Sequence, residues 1–318
     1  MKRAFVTGGS GFLGKRLIAE LVDVRGVPVR ALARSEASAI AVRGVGGEPV
    51  RGELDDVRAM TEGMKECDVV FHAAAHVKQH GRLAEFLRVN VQGTENVLAA
   101  ARAAGVRRVV HIGTEAVLAD GRPIVRADET RPYAARPAGP YPLSKGLAER
   151  AVLAANRLGE LETVVVRPRF IWGQGDTSVL PEIALAVRRK KFGWIGGGRY
   201  LTSTCHVANV VEGALLAAER GSPGEIYFLT DGPPVEFRAF LTELLATQGV
   251  DPGAREIPRW LASVVAALTG WMKRPPVTKT ALALVGHEVT VDDAKARREL
   301  GYAGKMSREA GLAELRAR

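Results

Sequence analysis

The sequence predicts an α/β protein, a doubly wound parallel sheet with a smaller, mostly helical second part. Three observations carry this. Short Val-rich apolar runs alternate with helical patterns through the first half. A glycine cluster separates the first of those runs from the first helix. After Arg167 the alternation stops, Gly and Pro become frequent, and helical patterns follow one another.

Residues 4–6 read as the first strand and 12–24 as the first helix. Residues 27–33 are a second strand, Val50 ends a short third, and 56–64 are helical. Residues 68–71 form a fourth strand before a long helix over 83–103. Residues 108–112 are a fifth strand, 142–156 a helix and 163–166 a sixth strand. Strands rich in branched residues and separated by helices imply a parallel sheet covered on both faces. The right-handed crossover then leaves a doubly wound order as the economical topology. Beyond it, 179–188, 207–218 and 237–246 read as helices, and the one clear strand, 226–229, is expected to return to the main sheet.

The chain has 318 residues, enough for one large or two closely packed domains at roughly 100–200 residues each. A hydrophobic fraction of 47% and a charged fraction of 25% suit a globular protein with a sizeable core. The net charge of +10 favours anionic partners. No interleaving of aromatic and basic residues accompanies it, so nucleic acid is not an expected partner. The sharpest basic run, Arg188-Arg189-Lys190-Lys191, reads as a solvated helix end. Cys67 and Cys205 lie far apart with no CxxC pair, which excludes a thiolate metal site and a disulfide framework. No metal is expected, and a reducing, cytoplasmic compartment is. No run of about 18 apolar residues could span a bilayer. Met1-Lys2-Arg3 is followed by a strand and glycines rather than by an apolar stretch, so it does not read as a targeting segment.

The segment 260–272 is apolar nearly all round, with Arg259 before it and Lys273-Arg274 after. It is too short to cross a membrane. A buried or lid helix is the first expectation; a wall for an apolar substrate, or a helix touching a membrane surface, is the second.

Thr7-Gly8-Gly9-Ser10-Gly11-Phe12-Leu13-Gly14 joins the first strand to the first helix and fits both G-x-G-x-x-G and G-x-x-G-x-x-G. Glycines there allow a tight turn and close approach of a pyrophosphate, which the helix N-terminus would hold. The reading is a dinucleotide site of the Rossmann kind. The position that binds the ribose diol of NAD through an acid carries Ala33-Arg34-Ser35 instead. Guanidinium suits a 2′-phosphate, so NADP(H) is favoured and NAD(H) stays open. Glu53-Leu54, after the third strand, are placed to meet the adenine edge.

Tyr141-Pro142-Leu143-Ser144-Lys145 opens a helix, and spacing of four puts Tyr141 and Lys145 on one face. A phenol titrates near about pH 10, and a neighbouring ammonium is expected to lower that toward a useful range. Thr114, at the end of the fifth strand, can present a hydroxyl to a substrate oxygen.

With these motifs the chain resembles the extended short-chain dehydrogenase/reductases, the NAD-dependent epimerase/dehydratase family, along nearly its whole length. The family's T-G-x-x-G-F-x-G is Thr7 to Gly14, its turn after the fourth strand is His72-Ala73-Ala74-Ala75, and its N-V-x-G-T is Asn90 to Thr94. Its R-P…G segment runs from Arg167-Pro168 to Gly173, and its H-V-x-N-V from His206 to Val210. The resemblance implies that Gly8, Gly11, Phe12, Leu13, Gly14, Arg34, Glu53, Leu54, Ala73, Ala74, Arg167 and Pro168 meet the cofactor, together with Tyr141 and Lys145. It implies that Tyr141 exchanges the proton with the substrate oxygen, that Lys145 binds the nicotinamide ribose and tunes Tyr141, and that Thr114 orients the substrate. Asn90 would support a water relay behind Lys145. His206 reads as structural. Residues 1–168 would form the dinucleotide-binding domain and 169–318 the substrate-binding domain.

Among extended members the second part is most similar to the 3β-hydroxysteroid dehydrogenase-like branch, through residues 167–176, 260–272 and 292–302. That implies interconversion of a hydroxyl and a ketone on an apolar small molecule, sterol-like, terpenoid or long acyl. A nucleotide-sugar epimerase or dehydratase is the alternative. The Arg-Asp pair usual in sugar epimerases is absent before His206, and Glu115 lacks the second acid of the dehydratase pattern. A dihydroflavonol-type reductase also stays open, as does assembly into a homodimer.

Overall fold

The computed structural model of the protein describes residues 1–78, 81–272 and 275–317. Lys273 and Arg274, the expected basic flank of the apolar segment, lie outside them.

Strands β1 (Ala4–Thr7), β2 (Val29–Ala33), β3 (Glu48–Arg51), β4 (Val69–His72) and β5 (Arg108–Ile112) belong to one parallel sheet. Across that sheet the order is Ile226–Leu229, Glu162–Pro168, β5, β4, β1, β2, β3. Every residue of β1, β4 and β5 is buried, as continuous apolar runs require of strands covered on both faces. One face packs on Leu17, Ile18 and Leu21 and on Val210, Val211 and Leu215 of the helix Val207–Arg220. The other packs on Met60, Met64, Val97, Leu98 and Val152. The late strand Ile226–Leu229 pairs in parallel with Glu162–Pro168, so the second part of the sequence closes an edge of the sheet that the first part builds.

Helix starts follow local chemistry. The Asp56 side chain accepts the Ala59 N–H at 2.9 Å to open Val57–Met64, and Ser35 does the same through Ser38 for Glu36–Arg43. The segment predicted as one helix over 83–103 contains a wide π-helical stretch, Leu87–Gln92, between Leu83–Phe86 and Gly93–Ala103. Asn90 sits in it.

The second part is mainly helical and also carries short strands that the sequence reading lacks, joined by one from the first part, Ile124–Ala127. Val235–Glu236, Leu201–Thr202, Val289–Val291 and Ile124–Ala127 make a small four-stranded sheet. Elements of two to four residues leave no periodicity to read. The basic run 188–191 is exposed where the helix Val179–Arg188 ends, as expected. Cys67 and Cys205 are both buried and free.

The expectation of a buried apolar helix is corrected. The segment forms the helix Arg259–Thr269, but only Ala262 and Ala266 are buried. Its large side chains face outward because the small ones take the side packed toward the helix Lys279–Val285. Among the described residues no helix is long and apolar enough to cross a membrane.

Candidate active site

The strand order reverses between β1 and β4, and a doubly wound sheet opens its ligand crevice at such a point. Gly8 leaves β1 with φ +74°, and a Cβ there would lie 2.8 Å from the Ala74 nitrogen and 2.9 Å from the Ala73 carbonyl carbon. At Gly14 a Cβ would lie 2.1 Å from the Gly8 oxygen. Gly11 N–H donates to that same oxygen at 3.0 Å, turning the chain into the helix Phe12–Ala19. Gly9 instead abuts the side chains of Ala31 and Ile18. The positions that face immovable backbone are therefore Gly8 and Gly14, which selects the G-x-x-G-x-x-G register. Gly11 caps the helix with no side chain, leaving its first N–H groups for an anion. The turn fits a dinucleotide's pyrophosphate, with Phe12 and Leu13 half-buried in its first helical residues.

Behind this turn a buried polar chain fixes β1 to β4. Thr94 Oγ1 donates to the Asn90 carbonyl at 2.6 Å, so it must accept from His72 Nε2 at 2.8 Å. His72 Nδ1 then accepts from Thr7 Oγ1 at 2.7 Å, and Thr7 Oγ1 accepts the Ala74 N–H at 3.3 Å. Burial, with Lys145 nearby, pushes His72 down to about 3, so the ring is neutral.

Toward the adenine end, Arg34 follows β2, is exposed, and has no ion-pair or side-chain hydrogen-bond partner among the described residues. The adjacent acid, Glu36, is engaged by Arg43 at 2.6 Å and Arg51 at 3.5 Å. Glu53 is exposed; Leu54 packs over Gly93, and its carbonyl accepts from Asn96 at 2.8 Å.

Tyr141 and Lys145 lie on the helix Pro140–Ala154, whose first turn takes Pro140 and Pro142. Lys145 Nζ donates to the Ile112 carbonyl at 2.7 Å and lies 3.3 Å from His111 Nε2. Burial lowers this ammonium to about 8, with Glu149 opposing. Burial and Lys145 hold His111 neutral as well. The Tyr141 phenol is raised above its ordinary value, first by burial and then by the Glu115 carboxylate, with a side-chain hydrogen bond to Thr114 opposing. The expected lowering by Lys145 is thus absent here, because that ammonium is turned to the end of β5. The phenol is a protonated acid.

Thr114 stands beside it, and its hydroxyl donates to Glu115 Oε2 at 2.9 Å while accepting the Ala116 N–H at 3.2 Å. Glu115 in turn pairs with Arg169 at 3.3 Å, both side chains buried. Asn90 is fully engaged: Oδ1 accepts the His76 N–H at 2.6 Å, and Nδ2 donates to the His76 carbonyl at 3.2 Å and to Ser144 Oγ at 3.0 Å. Its side chain clamps the turn after β4 to the helix Pro140–Ala154 rather than standing free behind Lys145. The Arg167 guanidinium is turned to buried Glu149, its Nε 3.1 Å from each carboxylate oxygen, and its Cζ lies over the rings of Tyr133 and Phe228. Only its backbone and Pro168 are left to border the crevice. His206 caps the helix Val207–Arg220, and its N–H donates to Asp231 at 2.6 Å beside Trp172, Thr204 and Asn209, a structural hub.

Glu115, Arg169, His111 and Ser144 were not assigned roles from the sequence. The signal that could have found them is positional. Glu115 follows β5 and Arg169 follows Glu162–Pro168, adjacent parallel strands whose C-terminal ends converge on the crevice.

Residues 5–259 match the 3-beta hydroxysteroid dehydrogenase/isomerase family. The chain is 54% identical, over 99% of its length and 96% of the relative's, to the 4-hydroxy-2-methyl-3-oxo-4-farnesyl-3,4-dihydroquinoline-1-oxide ketoreductase of Stigmatella aurantiaca. It is 34% identical, over 99% of its length and all of the relative's (100%), to a decarboxylating sterol-4-alpha-carboxylate 3-dehydrogenase of Dictyostelium discoideum. Among solved structures it resembles the dTDP-glucose 4,6-dehydratase DesIV of Streptomyces venezuelae, which was solved with NAD bound, at 25% identity and a TM-score of 0.76, covering 99% of this chain and 96% of that one.

Proposed function

Because the chain belongs to the 3-beta hydroxysteroid dehydrogenase/isomerase family, we propose that it reduces a ketone to a hydroxyl, or the reverse, on an apolar small molecule, using Tyr141 as the proton carrier and preferring NADP(H). The chain is an oxidoreductase acting on hydroxyl and keto groups, and its cofactor is a nicotinamide dinucleotide. The observation that carries the proposal is the Tyr141 phenol, buried beside Thr114 and Glu115 and kept protonated there.

The nicotinamide, when bound, supplies or accepts the hydride. The chain's residues do the rest. Tyr141 donates its proton to the substrate oxygen as negative charge develops there. Thr114 holds the phenol in line, and Lys145 brings a positive charge one turn further along the same helix. Gly8, Gly11, Gly14, Ala73 and Ala74 border the pyrophosphate; Arg34 faces a 2′-phosphate with no internal competitor. Residues 1–168, with the returned strand, form the cofactor part, and 169–318 the substrate part. In this reading the location is cytoplasmic and nucleic acid is not a partner.

An apolar substrate is supported by Phe170, two residues past Pro168, which leads into an aromatic cluster with Phe237 and Phe240 at ring distances of 6.2 and 5.9 Å. The relatives named for farnesylated and sterol substrates point the same way. The epimerase or dehydratase reading is less favoured, because Glu115 is locked to Arg169 and Ala116 offers no second acid.

The deciding experiment follows NADPH and NADH absorbance with purified protein against cyclic ketones bearing isoprenoid or sterol bodies, 3-oxoacyl compounds, flavanonols and sugar nucleotides. Stoichiometric NADPH loss with an apolar ketone is expected. Conversion of a sugar nucleotide with no net change in cofactor would reject the proposal.

A further inference from the structure

The helix Arg259–Thr269 is held by two alanines. Ala262 and Ala266 are buried one turn apart, and the opposite side carries Trp260, Val264 and Leu268 at spacing of four, with Trp271 just beyond. Those side chains are 68%, 45%, 68% and 85% exposed, and Leu261 and Met272 widen the stripe. A contiguous apolar strip of this size on a surface signals an interaction. What surrounds it identifies the occupant. The short strand Glu256–Ile257, leading into the helix, pairs with Trp194–Ile195. That pairing brings exposed Arg255 against the end of the basic run, its Nη1 3.5 Å from the Lys190 carbonyl. Arg188, Arg189, Lys190, Lys191 and Arg255 are all exposed, and Lys279 lies beyond the helix. An apolar stripe rich in tryptophan, beside a cationic cluster, matches a bilayer of anionic lipid, where indole rings sit at the headgroup level and lysine and arginine meet phosphate.

We infer that this helix and the neighbouring basic cluster dock the protein on the surface of an anionic membrane. The helix lies in the interface, since it is far too short to span one. A second copy of the chain is the competing occupant, but it would set the basic clusters of two molecules near one another.

The test mixes the full chain with vesicles of phosphatidylcholine alone or with phosphatidylglycerol, and follows sedimentation and tryptophan emission. The chain has four tryptophans, and Trp172 and Trp194 are already buried at 0% and 1% exposure. A blue shift on adding vesicles therefore reports Trp260 and Trp271. Binding to the anionic vesicles, weakened at least about tenfold by Trp260→Ser with Trp271→Ser and by raising salt to about 0.5 M, is expected. A second variant, Lys190→Glu with Lys191→Glu, is expected to lose the anionic preference while keeping its fold, because both side chains are solvated. The inference is overturned if wild-type protein stays in the supernatant with anionic vesicles. It is equally overturned if the tryptophan substitutions split a dimer while no vesicle binding occurs.

Discussion

Glu115 accepts the Thr114 hydroxyl at 2.9 Å and sits 3.3 Å from the Arg169 guanidinium, so a buried carboxylate lies within one side chain of the Tyr141 phenol. Its negative charge opposes phenolate and keeps Tyr141 protonated. Glu115→Gln removes the charge and keeps an acceptor for Thr114. The phenol's proton affinity then falls, and ketone reduction, which needs the protonated phenol, is lost at lower pH than in wild type. A downward shift of the alkaline limb by about one pH unit is expected in the pH profile of kcat. The same substitution leaves Arg169 as a buried unpaired charge, costing roughly 3–5 kcal/mol in chemical denaturation. Adding Arg169→Met should recover most of that stability without restoring the alkaline limb. An unchanged limb in both variants would remove Glu115 from the catalytic site.

Tyr141→Phe deletes the proton and preserves the ring. A fall in kcat of about 10²–10⁴-fold is expected, with NADPH affinity changed no more than a few-fold in a fluorescence titration. Turnover close to wild type would mean that another group carries the proton.

The part of this site that was legible in the sequence is the part built from local chain. The glycine turn announces itself because one short stretch must supply strand, turn and helix start together, and Gly8 and Gly14 show why no side chain fits. Tyr141 and Lys145 are legible as neighbours on one helix from spacing alone, but spacing does not say that the ammonium turns to the end of β5 and not to the phenol. Glu115 with Arg169, and Arg167 with Glu149, were opaque: each pair is assembled across the sheet, and a lone acid or arginine in sequence carries no sign of its partner. The Arg259–Thr269 helix was legible as a helix and misread in its burial. A segment apolar on every side gives no amphipathic face to say which way it turns, and only the packing of Ala262 and Ala266 decided it.

Arg34 offers a sharper test of cofactor choice. Its guanidinium is exposed, and Glu36 is already held by Arg43 and Arg51. A charge-assisted contact to a 2′-phosphate contributes about 1.5–3 kcal/mol, so Arg34→Ala should weaken NADPH binding by roughly 10–100-fold and leave NADH within a few-fold. Arg34→Asp should invert the order by binding the ribose diol instead. Titration of both nucleotides against the three proteins checks this, and equal losses for NADH and NADPH would show that Arg34 does not read the phosphate.

His72 links the fold to pH. Its two nitrogens bridge Thr7 and Thr94, and burial followed by Lys145 lowers its pKa from an ordinary 6.5 to about 3. The unfolded chain therefore binds a proton on His72 between those two values and the folded chain does not. Stability is full above about pH 6.5 and is lost as pH falls toward 3, by an amount on the order of a few kcal/mol. His111, lowered in the same direction by burial and Lys145, adds to the slope. His72→Asn cannot take up that proton. It should be less stable than wild type at pH 7, where the bridge is broken, yet lose less on acidification, so the two denaturation midpoints converge between pH 6.5 and 4. Midpoints that fall in parallel over that window would place the acid sensitivity on other groups.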